Sequence, residues 1–154
     1  MQNTEPAVQE LCPYLTVAGA ADAIDFYVRA FGATVDFKLI DPSDQRIGHA
    51  ELHFGATRVF IADEYPDFGA VGPETLGGSP VKMHLEVADA DEFVAHAVNQ
   101  GATILRSVKL EFHGHRSGMV ADPFGHSWFI ASKAEEVSPE EMQTRWNTES
   151  GETA

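Results

Sequence analysis

The chain of 154 residues holds a single cysteine, Cys12, so no disulfide can close within it. That usage fits a reducing, cytoplasmic setting. Basic residues are scarce: 10 Lys and Arg stand against 24 Asp and Glu, for a formal net charge of −14. So acidic a surface repels phosphate backbones, which are bound through Lys and Arg displacing counterions, and nucleic acid is set aside as a partner. No apolar run approaches the ~20 residues of a membrane span. Met1 to Glu10 is polar and acidic, unlike the basic and apolar regions of a signal peptide, so export and membrane insertion are not expected.

What is present is an apolar fraction of 44%, enough for one ordinary core or for two small modules. Leu11 to Val17 reads as a strand. Ala20, Ile24, Tyr27 and Phe31 follow at helical spacing, and Gly32 supplies a helix stop. Strands are then predicted over Thr34 to Ile40, Gly48 to Phe54 and Thr57 to Ala62, with turns at Asp41-Pro42-Ser43-Asp44 and Gly55. That order is βαβββ.

After a Gly- and Pro-rich connection the order returns. Val81 to Val87 alternates as a strand, Phe93, Val94, Ala97 and Val98 form a helical pattern, and Gly101 closes it. Strands follow at Thr103 to Val108, Ser117 to Ala121 and Ser127 to Ala131, the last two joined through Asp122-Pro123-Phe124-Gly125. A repeat of about 70 residues results, and one such unit leaves a sheet face too exposed to stand alone. The organisation expected is a tail at 1–10, a single domain at 11–132 and a C-terminal helix and tail at 133–154. Within the domain, module 1 spans about 11–63, a connection 64–80 and module 2 about 81–132. The last helix starts at Ser138-Pro139-Glu140-Glu141, with Ser138 as cap and Pro139 in its first turn. It would pack through Met142 and Trp146 and fray from Thr148 onward.

Ala23-Ile24-Asp25-Phe26-Tyr27 with Ala30-Phe31-Gly32-Ala33 resembles the first helix of the vicinal oxygen chelate superfamily, the glyoxalase, bleomycin resistance and dioxygenase group. Asp122-Pro123-Phe124-Gly125-His126 resembles its second-module turn. Pro13-Tyr14-Leu15, Gly48-His49-Ala50-Glu51-Leu52, Leu76-Gly77-Gly78, His84-Leu85, His115-Arg116-Ser117-Gly118 and Ser138-Pro139-Glu140-Glu141-Met142 are similar to its PhnB-like branch. The resemblance covers Leu11 to Arg145. It implies an α+β fold of two tandem βαβββ modules whose curved mixed sheets form a cleft, and a homodimer. It does not name a reaction, because one fold hosts many.

Enzymes of that superfamily hold a divalent metal through His, Glu or Gln from the first and fourth strands of each module. Counted along the chain, those positions fall on Cys12, Phe60, Lys82 and Phe129. An ammonium repels a cation and phenyl rings offer no lone pair, so no metal is expected there. Cys12 alone reads as a small buried apolar residue.

The period of two places the neighbours of those positions on one concave face. Cys12, Tyr14 and Thr16 would share it with His49, Glu51 and His53, with Lys82, His84 and Glu86, and with Ser127 and Phe129. Ala50, Leu52, Phe54, Val81, Met83, Leu85 and Val87 would form the helix-packed core. Glu51 and His84 are the candidate acid–base pair. Tyr14, His49, His53, Phe60, Lys82, His115, Arg116 and Phe129 are the candidate ligand contacts. Glu51 would pair Lys82 or orient a histidine. If an ion is bound at all, His49, Glu51 and His84 are the alternative set. Arg116, on a hairpin where a lid would lie, either clamps an anion or answers the surrounding acids.

Two functions follow. One is a pocket, free of the usual metal, that binds a small organic ligand as bleomycin-resistance-like members do. The alternative is a metal-dependent lyase, isomerase or dioxygenase using a relocated site.

Overall fold

The structure, a computed structural model, describes residues 4–152. The outermost residues of both predicted tails lie outside it. Strand β1 (Tyr14–Val17), helix α1 (Ala20–Phe31) and strands β2 (Thr34–Ile40), β3 (Ile47–Phe54) and β4 (Thr57–Asp63) form the first unit. Its sheet has the order β1-β4-β3-β2, with β1 parallel to β4 and the other pairs antiparallel. A short helix α2 (Pro73–Leu76) lies in the connection, and the chain divides between Gly77 and Gly78. The second unit repeats the plan with β5 (Lys82–Glu86), α3 (Ala90–Asn99), β6 (Thr103–Leu110), β7 (His115–Ala121) and β8 (Ser127–Lys133) in the order β5-β8-β7-β6. Helix α4 (Pro139–Glu152) follows. Among the described residues no helix is long and apolar enough to cross a membrane.

Each helix covers one sheet face. In α1 the stripe Ala20, Ala23, Ile24, Tyr27, Ala30 and Phe31 is buried, a spacing that keeps one side of a helix apolar. It meets Leu15, Val17, Ala50, Leu52, Val59 and Ile61, all buried. Gly32 ends the helix at φ 72°, a left-handed conformation that costs glycine little. In the second unit Val94 and Ala97 of α3 face Val120, Trp128 and Ile130.

The helix starts are capped from the sheet. Asp63, buried at the end of β4, accepts from the backbone N–H groups of Gly19 and Ala20 at 3.0 and 2.8 Å and of Ile47 at 2.7 Å. At the matching end of β8, Ser132 Oγ accepts from Ala90 N–H at 3.0 Å. The Asp122 turn is held likewise. One carboxylate oxygen accepts from the N–H groups of Phe124 and His126, and the other accepts from Trp128 Nε1 at 2.9 Å.

Three expectations are corrected. Strand β1 begins at Tyr14 instead of Leu11, because it has only β4 as a partner and Pro13 has no N–H to give. Val81 lies outside β5 and is exposed, with Met83 and Leu85 only half-buried, so the core of the second unit rests more on β7 and β8. Helix α4 continues past Thr148 to Glu152, with Ser138 Oγ capping Glu141 N–H at 3.2 Å.

Candidate functional site

The open face of the first sheet, turned away from α1, carries His49, Glu51 and His53, since Ala50 and Leu52 between them are buried against the helix. The ladder sets Phe60 beside Glu51, and Tyr14 beside Phe60. The Tyr14 hydroxyl lies 2.6 Å from His49 Nδ1. The other ring nitrogen, Nε2, is 3.4 Å from Glu51 Oε2. Phe60 and Phe37 flank this imidazole, with centroids 5.2 and 5.9 Å from it. Burial pushes the Tyr14 phenol above its ordinary pKa.

Arg58 shares this face with Phe60, two residues on. It donates to Glu51 Oε1 at 2.8 Å and grips both oxygens of Glu10 at 2.9 and 2.6 Å. The guanidinium holds the Glu10 carboxyl below its usual range, and that same hydrogen bond raises Arg58 further. Within its own unit Glu51 therefore pairs with Arg58 of the adjoining strand and meets a histidine, the second of the two roles expected of it. His53 turns instead to Asp36 of β2, 2.6 Å away.

In the second unit the open face holds Lys82, His84 and Glu86 from β5, His115 and Ser117 from β7, and Phe129 from β8. His84 stands beside Phe129 in the ladder. Its Nε2 is 2.8 Å from Glu86 Oε1, and the second oxygen of Glu86 is 3.5 Å from His115 Nε2. His115 Nδ1 in turn lies 3.4 Å from His113 Nδ1. A cavity of about 410 Å³ opens on this unit, walled by Phe112, Phe129 and Trp146. Trp146 comes from α4 and meets Phe112 edge-on at 5.2 Å. His84, Arg106, Glu111 and His113 supply the polar part of the lining. Lys82 is exposed and enters no ion pair among the described residues.

Arg116 does not join this face. Val120, buried against α3, shares its side of β7, so parity turns Arg116 toward the helix. There its Nε and Nη2 donate to both oxygens of Asp91 at 2.7 and 3.0 Å. The anion-clamp alternative is thereby corrected: this fork is already occupied by a carboxylate of α3.

The metal positions can be counted by ladder instead of by chain. The residues abreast of Phe60 and Phe129 are Tyr14 and His84, two residues on from Cys12 and Lys82 and on the same face. A phenol with a phenyl ring in the first unit, and an imidazole with a phenyl ring in the second, each fall short of a divalent-metal donor set. Within the first unit Glu51 is drawn to Arg58, and no group of three His, Cys, Asp or Glu side chains able to hold an ion occurs among the described residues.

The family profile of the Glyoxalase/Bleomycin resistance protein/Dioxygenase superfamily matches residues 9–130. The chain belongs to that superfamily. An uncharacterized protein of Mycobacterium bovis is 39% identical over 150 residues, 96% of either chain. An uncharacterized protein of Arabidopsis thaliana is 32% identical over 130 residues, 79% of this chain and 76% of that one. The X-ray structure of an Arabidopsis thaliana gene product superposes with a TM-score of 0.66 at 28% identity, over 81% of this chain and 99% of that one. A PhnB protein from Bacillus cereus shares the fold at a TM-score of 0.63 and 16% identity, over 80% of this chain and 99% of that one. This chain thus keeps the βαβββ plan of the glyoxalase superfamily, with Tyr14 beside Phe60 on one sheet face and His84 beside Phe129 on the other.

Several residues of these faces were not singled out from sequence. Arg58 was within reach, because the alternation Arg58-Val59-Phe60 puts it on the face of Phe60. Phe37 and Arg106 were not, because bulges break the parity of β2 and β6 beside them. Trp146 is expected from sequence as a packing residue of the last helix, but its place at the cavity depends on where α4 docks.

Proposed function

We infer that the protein binds a small planar organic molecule and does so without a metal ion. The carrying observation is the cavity of about 410 Å³ in the second unit, where the aromatic walls Phe112, Phe129 and Trp146 stand among the polar groups His84, Arg106, Glu111 and His113. Pockets of that size suit ligands of drug-like dimensions, and aromatic walls favour flat rings. His84 and Arg106 give such a ligand an orientation through hydrogen bonds. Phe129, on a position that the superfamily resemblance marks for a metal donor, offers a ring and no lone pair.

The test uses untagged protein stripped with a chelator and titrated with a panel of small aromatic compounds, following tryptophan fluorescence. Trp146 lines the cavity and Trp128 is buried, so quenching reports on Trp146. Binding should survive chelation and weaken at least about tenfold, ~1.4 kcal/mol, in Phe129→Ala. Binding that appears only after zinc, nickel or iron is restored would favour the metal-dependent lyase, isomerase or dioxygenase and sink this proposal.

A further inference from the structure

Glu51 limits where the hydrogens of the first unit's face can lie when His49 is neutral. As a carboxylate it accepts from Arg58 Nη1 at 2.8 Å and has no hydrogen to give. Its contact with His49 Nε2 at 3.4 Å therefore calls for the hydrogen on Nε2. A neutral His49 then has its lone pair on Nδ1, and Tyr14, 2.6 Å away, is the donor. The Tyr14 hydrogen is committed inward, so an incoming molecule meets the remaining lone pairs of the phenolic oxygen. Tyr14 is 53% exposed and open to such a molecule.

An oxygen in that state selects a ligand that brings a hydrogen of its own. We propose that Tyr14, His49 and Glu51 form a proton relay for a weak oxygen acid, a phenol or an enolised carbonyl compound, seated against Phe37 and Phe60. In the step, the ligand O–H bond breaks and its proton passes to Tyr14 Oη while the Tyr14 proton passes to His49 Nδ1. The electron pair of the broken bond stays on the ligand oxygen, which becomes an oxyanion, and His49 becomes an imidazolium. Nothing is oxidised or reduced.

Charged groups surround His49 of the relay. From its own strand Glu51 faces it, from β4 Arg58 lies behind Glu51, and Glu10 binds Arg58 in turn, so two carboxylates surround one guanidinium. From β2, Asp36 is engaged by His53. By formal charge, Glu51, Glu10 and Asp36 against Arg58 leave this face an excess of negative charge. The raised Tyr14 phenol keeps its hydrogen between transfers. The relay belongs to the first unit and is independent of the cavity in the second.

The probe is para-cyanophenol, mixed with the full chain one pH unit below the phenol's own midpoint of ionisation, a pH that stays above the ordinary imidazole value of about 6.5. The wild type should raise the phenolate absorption band saturably, and Tyr14→Phe, which keeps the ring, should lower that rise at least fivefold without moving the thermal midpoint. Proton–nitrogen NMR of the free protein should show neutral His49 with its hydrogen on Nε2, turning to imidazolium as the probe binds. A hydrogen on Nδ1, or an unchanged phenolate rise in Tyr14→Phe, overturns the relay. So does a rise lost in Trp146→Ala but kept in Tyr14→Phe, which would place the probe in the second unit's cavity and leave the binding function standing.

Discussion

Asp63 shows how one buried carboxylate organises a module. It satisfies the first N–H groups of α1 and the N–H of Ile47 at once, donors that would otherwise be buried without partners. Asp63→Ala is expected to cost about 3 kcal/mol in urea unfolding, and Asp63→Asn roughly half that, since an amide keeps one acceptor. A loss under about 1 kcal/mol would mean that water or the chain itself replaces the cap. At this scale the sequence was most legible where a residue's role is local. Ser138 as a cap and Gly32 as a stop were read directly. The roles of Asp63 and Ser132 were not, because each acts on a helix 42 to 43 positions away in the chain.

The connection between the units carries a pH signature. Glu64 accepts from Thr75 Oγ1 at 2.6 Å and Gly72 N–H at 2.7 Å, which hold its carboxyl below the usual 4.5. A group depressed in the folded state contributes stability that is present above its unfolded pKa and lost as pH falls through the folded value. Stability should therefore decline below about pH 4.5, and Glu64→Gln should flatten that part of the profile in acid titrations. The strand β6 makes a second case. It bulges on either side of Arg106, and Gly118 opposite leaves room for it: a Cβ there would meet the Arg106 carbonyl oxygen at 2.9 Å and Val108 Cγ2 at 2.9 Å. Gly118→Ala is expected to cost about 1–3 kcal/mol and to loosen β6, measured as faster amide exchange in Thr103–Leu110. Unchanged exchange would show that the bulge absorbs the methyl.

For the whole molecule, the repeat is a structural fact with chemical divergence laid over it. Tyr14 beside Phe60 in the first unit corresponds to His84 beside Phe129 in the second. The scaffold is shared, and the two faces carry different groups. Both sheets also end in edge strands with exposed apolar residues, Val35, Phe37, Leu39 and Ile40 on β2 and Ile104, Leu105 and Leu110 on β6. Such edges invite a partner, which supports the proposal that the chain works as a homodimer. Sedimentation should give twice the 16.8 kDa chain mass at micromolar concentration. A monomer mass that does not change with concentration would refute it.

The sequence by itself determined the two βαβββ modules, their helix ends and the open-face placement of His49, Glu51, His84 and Phe129, because alternation and helical spacing are properties of neighbouring residues. Only the tertiary structure decided which side chains meet there. Glu51 finds Arg58 on the adjoining strand, Arg116 goes to Asp91, and Tyr14 comes within 2.6 Å of a histidine 35 residues later in the chain. Those outcomes depend on ladder register, on bulges that shift parity and on which charged neighbour is nearest across a strand. None of them leaves a mark in the local pattern of residues.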